Sequence, residues 1–184
     1  MENWVVLFVR TGFKYKLIEQ LKQKLNPEKF QPFLPLKEYI NRRKGICQKQ
    51  EKLLFKGYVF IKTSVEADKI YNKLKVAFKN WAYFQNIYSI LHHGKIKNNI
   101  VMMEKEKKDL ETLMDTKNCI RGSKAIKEGD KIQIISGPLM GLESIIKKTS
   151  NHNKEATIEI EIMGAIREVK VYLEMMNNIA KSSY

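Results

Sequence analysis

Residues 129–148, GDKIQIISGPLMGLESIIKK, decide the fold of the C-terminal part of this chain. Apolar and polar residues alternate before and after a turn that contains Gly137, Pro138 and Gly141. Alternation with a period of two is typical of a β-strand with one buried face, and glycine and proline between two such runs are typical of a turn. This stretch therefore predicts a β-hairpin.

Two later runs alternate in the same way, one through Ile158, Ile160 and Ile162 and one through Val169, Val171 and Leu173. Turn-forming residues separate these runs at short intervals. Short strands at this spacing favour a small all-β barrel, since closing a sheet removes its exposed edges. We predict an SH3-like barrel over residues 127–184, preceded by a linker at residues 116–126, where no periodicity is visible.

The first 115 residues mix strands with amphipathic helices. The apolar run WVVLFVR, residues 4–10, predicts a strand buried on both faces, and Leu17, Leu21 and Leu25 follow at helical spacing. Thr63 and Glu66 predict a capping box at the start of a second helix. The order strand, helix, strand, strand, helix, strand, helix predicts an α+β domain with an antiparallel sheet flanked by helices.

The chain carries 34 Lys and Arg residues against 20 Asp and Glu residues, a net charge of +14. A charge of this sign favours a polyanionic partner such as nucleic acid. The two cysteines, Cys47 and Cys119, are typical of free thiols in a reducing compartment. The N-terminal apolar run is too short for a signal peptide or a membrane span, so we expect a cytoplasmic protein.

With these patterns in place, the chain resembles a known family. Residues 129–148 resemble a KOW motif, with Ser144 where a glycine is usual. The first part resembles the N-terminal domain of NusG in Trp4, in the triplet Phe33-Leu34-Pro35, in a basic hairpin and in the segment LLFKGYVF at residues 53–60. Lys56 replaces the proline that is usual in this segment.

The resemblance implies that the N-terminal domain docks on the clamp helices of RNA polymerase through an aromatic groove. It places Trp4, Phe55 and Tyr58 in that groove. Aromatic side chains supply much of the energy of protein interfaces, which agrees with this role. The alternative for Phe55 is an ordinary place in the core, because Gly57 can redirect either neighbouring side chain.

Basic residues in two places are candidates for contact with DNA or RNA phosphates. In the hairpin they are Arg42, Arg43, Lys44, Lys49 and Lys52. In the barrel the candidates are Lys131, Lys147, Lys148, His152, Asn153, Lys154, Arg167 and Lys170. The alternative is a solvated surface whose charge discourages aggregation.

Departures from the housekeeping NusG pattern point to a specialised paralogue. Leu142 stands where an aromatic residue of the KOW loop often contacts a ribosomal protein or a termination factor, and Lys56 and Ser144 also depart. The chain looks most similar to LoaP-type proteins, which recognise a leader RNA hairpin, and less similar to RfaH-type proteins, which read non-template DNA. The implied function is operon-specific transcription elongation or antitermination by a monomer.

Other classes of function fit less well. No spacing typical of a catalytic triad, an HExxH helix or a phosphate-binding loop occurs, so we predict a non-enzymatic protein without a cofactor or metal. His92 and His93 are adjacent, and we interpret them as surface-loop residues. A ribosome-associated or ribosome-assembly RNA-binding protein remains the alternative, since KOW barrels occur there too. Membrane binding fits poorly, because the helices carry few exposed large apolar groups.

Overall fold

A computed structural model describes residues 2–43, 46–94, 99–129 and 131–176 of the chain. The chain divides into two compact units that do not follow chain order. The first unit comprises Met1–Pro35, Leu53–Asp109 and Glu161–Ile166, and the second comprises Leu36–Lys52, Leu110–Ile160 and Arg167–Tyr184. The boundary that we predicted between an N-terminal and a C-terminal domain stays a prediction.

Strands and helices alternate in the first part of the chain. The elements are β1 (Asn3–Val9), α1 (Lys14–Lys24), β2 (Phe30–Phe33), β3 (Leu36–Arg43), β4 (Ile46–Leu53), β5 (Tyr58–Thr63), α2 (Ala67–Phe78), a 3-10 helix (Ala82–Asn86), β6 (Ile87–Ile90) and α3 (Glu104–Leu113). The strands of the second part are β7 (Cys119–Ile120), β8 (Ser123–Glu128), β9 (Lys131–Ser136), β10 (Ile146–Ser150), β11 (Glu155–Ile162) and β12 (Ala165–Met175), with a short 3-10 helix at Glu143–Ile145.

The first unit is built on a four-stranded sheet with the order β2-β5-β1-β6. β1 and β5 run antiparallel, and Val5 pairs with Ile61 while Leu7 pairs with Val59. These residues belong to a buried core with Leu17 and Leu21 of α1 and with Ile70 and Leu74 of α2. The helices therefore cover one face of the sheet, as the spacing of apolar residues predicted.

The capping box predicted for the second helix is wrong. The Thr63 hydroxyl accepts a hydrogen bond from the N–H of Val65 at 3.2 Å, which lies before the helix. Glu66 is the N-cap residue of α2, but its side chain forms no capping hydrogen bond. It forms an ion pair with Lys69 instead. Thr63 ends β5, so its side chain closes the strand-to-helix turn and cannot reach the first helical turn.

One strand lies inside the segment predicted as a linker, residues 116–126, and a second strand begins there. β7 pairs in parallel with β3, with Leu36 opposite Cys119, and β8 begins at Ser123. Cys119 and Ile120 are fully buried, which raises the pKa of the Cys119 thiol to about 11. Both cysteines are free. β7 has only two residues, both buried, which is too few to produce a visible period, so the sequence pattern did not indicate this strand.

Asp115 organises the turn that leads into β7. Its Oδ1 accepts hydrogen bonds from the N–H groups of Lys117 and Cys119, each at 2.9 Å, and its Oδ2 lies 2.6 Å from Nε of Arg121. Arg121 also contacts Glu51 at 2.6 Å. Burial opposes ionisation of Asp115, but these hydrogen bonds hold its pKa below the usual value.

The second unit contains a five-stranded sheet with the order β10-β11-β12-β8-β9. β8 and β9 pair antiparallel, whereas β12 and β8 pair in parallel, with Leu173 opposite Ser123. Along β11 the burial alternates regularly, as the isoleucine pattern predicted. The predicted fold class, an α+β part followed by a strand-rich C-terminal part, is confirmed. In the part of the chain that the structure describes, no helix is long and apolar enough to cross a membrane.

Candidate functional site

An aromatic face forms on the side of the four-stranded sheet opposite α1 and α2. Successive residues of a strand point to opposite faces, so Trp4 and Phe8 of β1 point away from the core formed by Val5 and Leu7. On β5, Lys62 pairs with Trp4 and Tyr58 pairs with Phe8. We name this set the aromatic face, and it comprises Trp4, Phe8, Phe33, Phe55, Tyr58 and Phe60.

The rings of the aromatic face contact one another in a continuous network. Phe60 is central, since its ring centroid lies 6.4 Å from that of Trp4, 5.6 Å from that of Phe33 and 5.8 Å from that of Phe55. Phe55 in turn lies 5.8 Å from Tyr58, and Tyr58 lies 6.0 Å from Phe8. Edge-to-face and offset arrangements at these distances are favourable beyond simple area burial.

Burial is graded across the aromatic face. Trp4 and Phe60 are 0 % exposed and Phe55 is 6 % exposed, whereas Phe8 is 40 % exposed. Tyr58 is half-buried. The structure therefore brings together the three residues predicted to bind polymerase, with Trp4 and Phe55 in the packed interior of the network and Tyr58 toward its exposed side. Their role in binding stays a prediction.

Sequence reasoning did not include Phe8 and Tyr88 among the candidates. Phe8 could have been found, because it lies two and four positions after Val6 and Trp4 on the same face of β1. Tyr88 sits where the register of β1 and β6 shifts, between the pairs Phe8–Ser89 and Val9–Ile87. Its ring lies 5.2 Å from that of Phe8 and it is 60 % exposed. A β-bulge of this kind has no reliable signal in a single sequence.

Two further residues shape the aromatic face. Lys62 places its Nζ 5.0 Å from the ring centroids of both Trp4 and Phe33, a cation–π arrangement. Gly57 lets the ring of Phe8 approach closely, since a Cβ there would lie 3.0 Å from Cε2 of Phe8. The glycine thus allows the ring of Phe8 to lie close to the turn before β5.

Two of the basic residues predicted in the hairpin, Lys49 and Lys52, contact other side chains of the protein. Nζ of Lys49 lies 3.1 Å from Oε1 of the buried Glu38, and it lies 5.8 Å from the ring centroid of Tyr172. Nζ of Lys52 lies 4.3 Å from the ring centroid of Tyr39. Arg42 and Arg43 belong to the backbone of β3, and Lys44 lies outside the described residues together with Gly45, the predicted hairpin tip.

Several of the basic residues predicted in the barrel pair with carboxylates of neighbouring strands. Lys147 lies 3.0 Å from Glu159, Lys154 lies 2.8 Å from Glu174, and Lys170 lies 3.7 Å from Glu155. The hydrogen bond from Lys154 is the main cause that lowers the pKa of Glu174. These three lysines therefore offer less net positive charge than the sequence count suggests.

The remaining candidates of the barrel are exposed. They are Lys131 at the start of β9, Lys148 on β10, His152 and Asn153 in the turn before β11, and Arg167 on β12. Lys148 forms no ion pair with any described residue. The exposed positive charge of this unit is thus spread over β9, β10 and β12.

The interpretation of both adjacent histidines as surface residues is wrong for one of them. His92 is exposed, with Nδ1 3.0 Å from the carbonyl oxygen of Gly94. His93 is 7 % exposed, and its Nε2 lies 3.3 Å from Oε2 of the buried Glu106 without the alignment of a hydrogen bond. Glu106 accepts hydrogen bonds from the N–H groups of Met103 and Gly164, which explains why a carboxylate is buried there.

A metal site is not assembled around these histidines by the residues that the structure describes. No group of three or more His, Cys, Asp or Glu side chains lies close enough together to hold an ion in that part of the chain. The chemistry that the described surfaces offer is contact by aromatic rings and by lysine and arginine side chains.

The family is shown by a match to a family model. Residues 2–111, more than half of the chain, match the family model NusG, described as transcription termination factor nusG. A solved structure on domain interaction in Thermotoga maritima NusG matches with 17% sequence identity and a TM-score of 0.48, covering 95% of this chain and 94% of that chain. No curated protein sequence matches the chain.

Proposed function

This chain belongs to the NusG family of transcription factors, and we propose that it is an operon-specific elongation or antitermination factor. In this proposal the aromatic face binds the clamp helices of RNA polymerase. Basic surfaces recruit the factor to a leader nucleic acid, with an RNA hairpin favoured over non-template DNA. The factor acts by binding, as a monomer in the cytoplasm, and is most similar to LoaP-type paralogues.

The aromatic face is the observation that carries this proposal. A network of rings that is rigid at Trp4 and Phe60, half-buried at Tyr58 and exposed at Phe8 suits a helical partner, because little side-chain entropy is lost on binding. Residues of this kind are enriched among those that dominate binding energy. Lys56, next to Phe55, adds an exposed cation beside the rings.

The nucleic-acid part of the proposal is supported by the exposed residues around β10. Lys148, His152 and Asn153 lie close in sequence and are exposed. Lys148 is the cation of this set, and an exposed lysine binds phosphates with little sequence preference, so binding weakens as salt is raised. Contacts in the groove of an RNA hairpin can add shape recognition.

Co-elution with bacterial RNA polymerase tests the first part of this proposal. The wild type is compared with the Phe55→Ala/Tyr58→Ala double variant, and with Phe8→Ala and Tyr58→Ser, which change exposed or half-buried residues and spare the packed interior. Tyr15→Ala is the matched control, since Tyr15 is 61 % exposed on α1. Circular dichroism first establishes that every variant is folded.

We expect the wild type and Tyr15→Ala to co-elute with polymerase and the other variants to lose most of the bound fraction. A wild type that fails to bind an active polymerase in moderate salt contradicts the proposal and favours the ribosomal RNA-binding alternative. Equal binding by all folded variants would place the polymerase contact elsewhere on the chain.

Gel-shift titrations test the second part with an RNA hairpin and a single-stranded DNA of equal length. We expect the hairpin to bind more tightly, with affinity falling as salt rises. The Lys148→Gln variant should bind the hairpin more weakly, while Lys73→Gln, on an exposed part of α2, should not. Tighter binding of the DNA would instead favour an RfaH-type mode of recruitment.

A further inference from the structure

A second surface of the first unit lies between the C-terminal turn of α2 and β6, and it adjoins the aromatic face at Tyr88, whose ring contacts Phe8. It is a groove with a volume of about 830 Å³. Its walls are mainly apolar and include Val76 and Phe78 of α2, Phe84 of the 3-10 helix, and Ile87 and Ile90 of β6. The polymerase proposal above makes no use of this groove.

The apolar residues of the groove are unusually accessible. Val76 is 73 % exposed, Phe84 is 51 % exposed and Tyr88 is 60 % exposed. Single exposed apolar residues are common on protein surfaces, but several that share one concave site indicate a place where a partner binds. The floor beneath them is firm, since Phe78 is 3 % exposed and its ring stacks on Trp81 at 5.5 Å.

The charged residues that line the groove are basic. Lys75 and Lys79 line it beside the apolar walls, and none of its described lining residues is a carboxylate. Neither lysine forms an ion pair with another described residue. Two cations without partners at the rim of an apolar groove select against basic occupants and favour an acidic one.

The edge of the sheet opens into the same groove. β6 is the last strand in the order β2-β5-β1-β6, so among the described strands nothing pairs with its outer edge. All four of its residues, Ile87 to Ile90, line the groove, although successive side chains of a strand point to opposite faces. The groove therefore follows the backbone of β6, whose N–H and C=O groups can pair with an extended peptide.

We propose that this groove binds an acidic, amphipathic segment of a partner protein in an extended conformation. Apolar side chains of the segment fill the space between Val76, Phe84 and Tyr88, its carboxylates meet Lys75 and Lys79, and its backbone extends the sheet at β6. The aliphatic walls at Val76, Ile87 and Ile90 suit such side chains better than they suit nucleobases, whose polar edges would find few partners there. The inference does not depend on polymerase binding.

Fluorescence anisotropy with the full chain tests the proposal. The probe is a fluorescein-labelled ten-residue peptide with glutamate at alternate positions and leucine or phenylalanine between them. One matched probe carries lysine in place of glutamate, and another carries serine in place of the apolar residues. A ten-nucleotide thymidine strand serves as the nucleic-acid competitor.

We expect saturable binding of the acidic amphipathic probe and at least about tenfold weaker binding of both matched probes. Val76→Glu and Lys75→Glu/Lys79→Glu should each weaken binding by about tenfold or more. Lys73→Glu, on the same helix but outside the groove, should change it by less than about twofold. Val76 and both lysines are exposed, so these variants should fold, and thermal melts followed by circular dichroism verify this.

Four results would overturn the proposal. The first is that the acidic probe does not bind, and the second is that the serine probe binds as tightly as the acidic probe. The third is that Lys73→Glu weakens binding as much as Lys75→Glu/Lys79→Glu does. The fourth is that the thymidine strand displaces the probe, binds more tightly than the probe and is weakened equally by Val76→Glu. The last result would assign the groove to single-stranded nucleic acid. The Phe55→Ala/Tyr58→Ala variant should bind the probe like the wild type, so loss of polymerase binding and loss of groove binding can be told apart.

Discussion

The aromatic face of the first unit and the basic strands of the second unit differ in the contacts that their side chains make within the protein. The rings of Trp4, Phe60 and Phe55 support one another, and the network ends at the exposed rings of Phe8 and Tyr88. Three lysines of the second unit instead face carboxylates: Lys147 of β10 faces Glu159, Lys154 before β11 faces Glu174, and Lys170 of β12 faces Glu155.

This difference shows that counting residue types is more informative for apolar surfaces than for charged ones. An aromatic side chain keeps its contact area whatever its neighbours are, and packing makes it more rigid. A lysine beside a carboxylate contributes little net charge at a distance, and an exposed pair of this kind contributes little stability. The candidate polymerase surface is therefore better defined than the candidate nucleic-acid surface, although the sequence offered more candidates for the second.

Truncating the interior of the aromatic face should have the largest effect on stability. Trp4→Ala removes a side chain that is 0 % exposed and that touches Phe33 and Phe60. We expect the free energy of unfolding, measured by urea denaturation, to fall by about 3–5 kcal/mol. Tyr15→Ala, at an exposed position, should change it by less than about 0.5 kcal/mol. A loss below about 1 kcal/mol for Trp4→Ala would mean that the network does not depend on its interior.

Asp115→Asn should have the next largest effect on stability, because it weakens the hydrogen bonds and the ion pair that hold the turn before β7. The variant keeps the shape of the side chain but loses the charge that Arg121 contacts and an oxygen that accepts N–H groups. We expect a loss of about 1–2 kcal/mol at neutral pH. Asp109→Asn, an exposed position on α3, is the matched control and should lose almost nothing.

The pH dependence of this effect has a definite sign. The pKa of Asp115 is lowered in the folded state, from an ordinary value of 3.8. The stabilisation is therefore fully present above that value and is lost as the pH falls through the lower folded-state pKa. Urea denaturation should show that the difference in the free energy of unfolding between the wild type and Asp115→Asn becomes smaller below about pH 4. A difference that stays constant to pH 2.5 would contradict an ionic origin.

Phe8→Ala tests the exposed end of the network. Phe8 is 40 % exposed and touches Tyr58 and Tyr88, so its loss should reduce stability less than the loss of Trp4. If the aromatic face binds polymerase, its affinity should fall about tenfold, equivalent to about 1.4 kcal/mol. Binding to immobilised polymerase measures this. An unchanged affinity together with lowered stability would make the aromatic face a structural core only.

Much of the fold could be predicted from local pattern. The run at residues 4–10 and the leucines of α1 produced β1 and its helix, and the isoleucines of β11 produced a strand with alternating burial. These features depend on neighbours within one element. Trp4, Phe55 and Tyr58 were named together through the resemblance to the NusG family, and the pairing of β1 with β5 brings Trp4 and Tyr58 to one face of the sheet.

The features that the sequence did not predict depend on contacts between distant segments. Cys119 and Ile120 became a strand because β3 lies beside them, and His93 is buried because Glu106 lies against it. Tyr88 joins the aromatic network only through a register shift in β6. Pairing of Lys154 with Glu174 required a hairpin to place residues 20 positions apart side by side. No local period reports such contacts.

The smallest expected effect concerns the carboxylates that pair with lysines in the second unit. Glu159→Gln and Glu174→Gln remove the carboxylates that face Lys147 and Lys154 while they leave every cation in place. If the basic strands bind nucleic acid, the double variant should bind an RNA hairpin about two- to threefold more tightly at low salt and show a steeper dependence on salt, because two more cations can displace counterions. Glu168→Gln, an exposed carboxylate that forms no ion pair with a described residue, should raise affinity less, since it only changes the net charge. A free-energy gain from Glu168→Gln that is half the gain of the double variant would show that net charge alone matters, because the double variant removes two carboxylates and Glu168→Gln removes one. No gain from either would remove β10, β11 and β12 from the nucleic-acid surface and leave the hairpin of β3 and β4 as its remaining candidate.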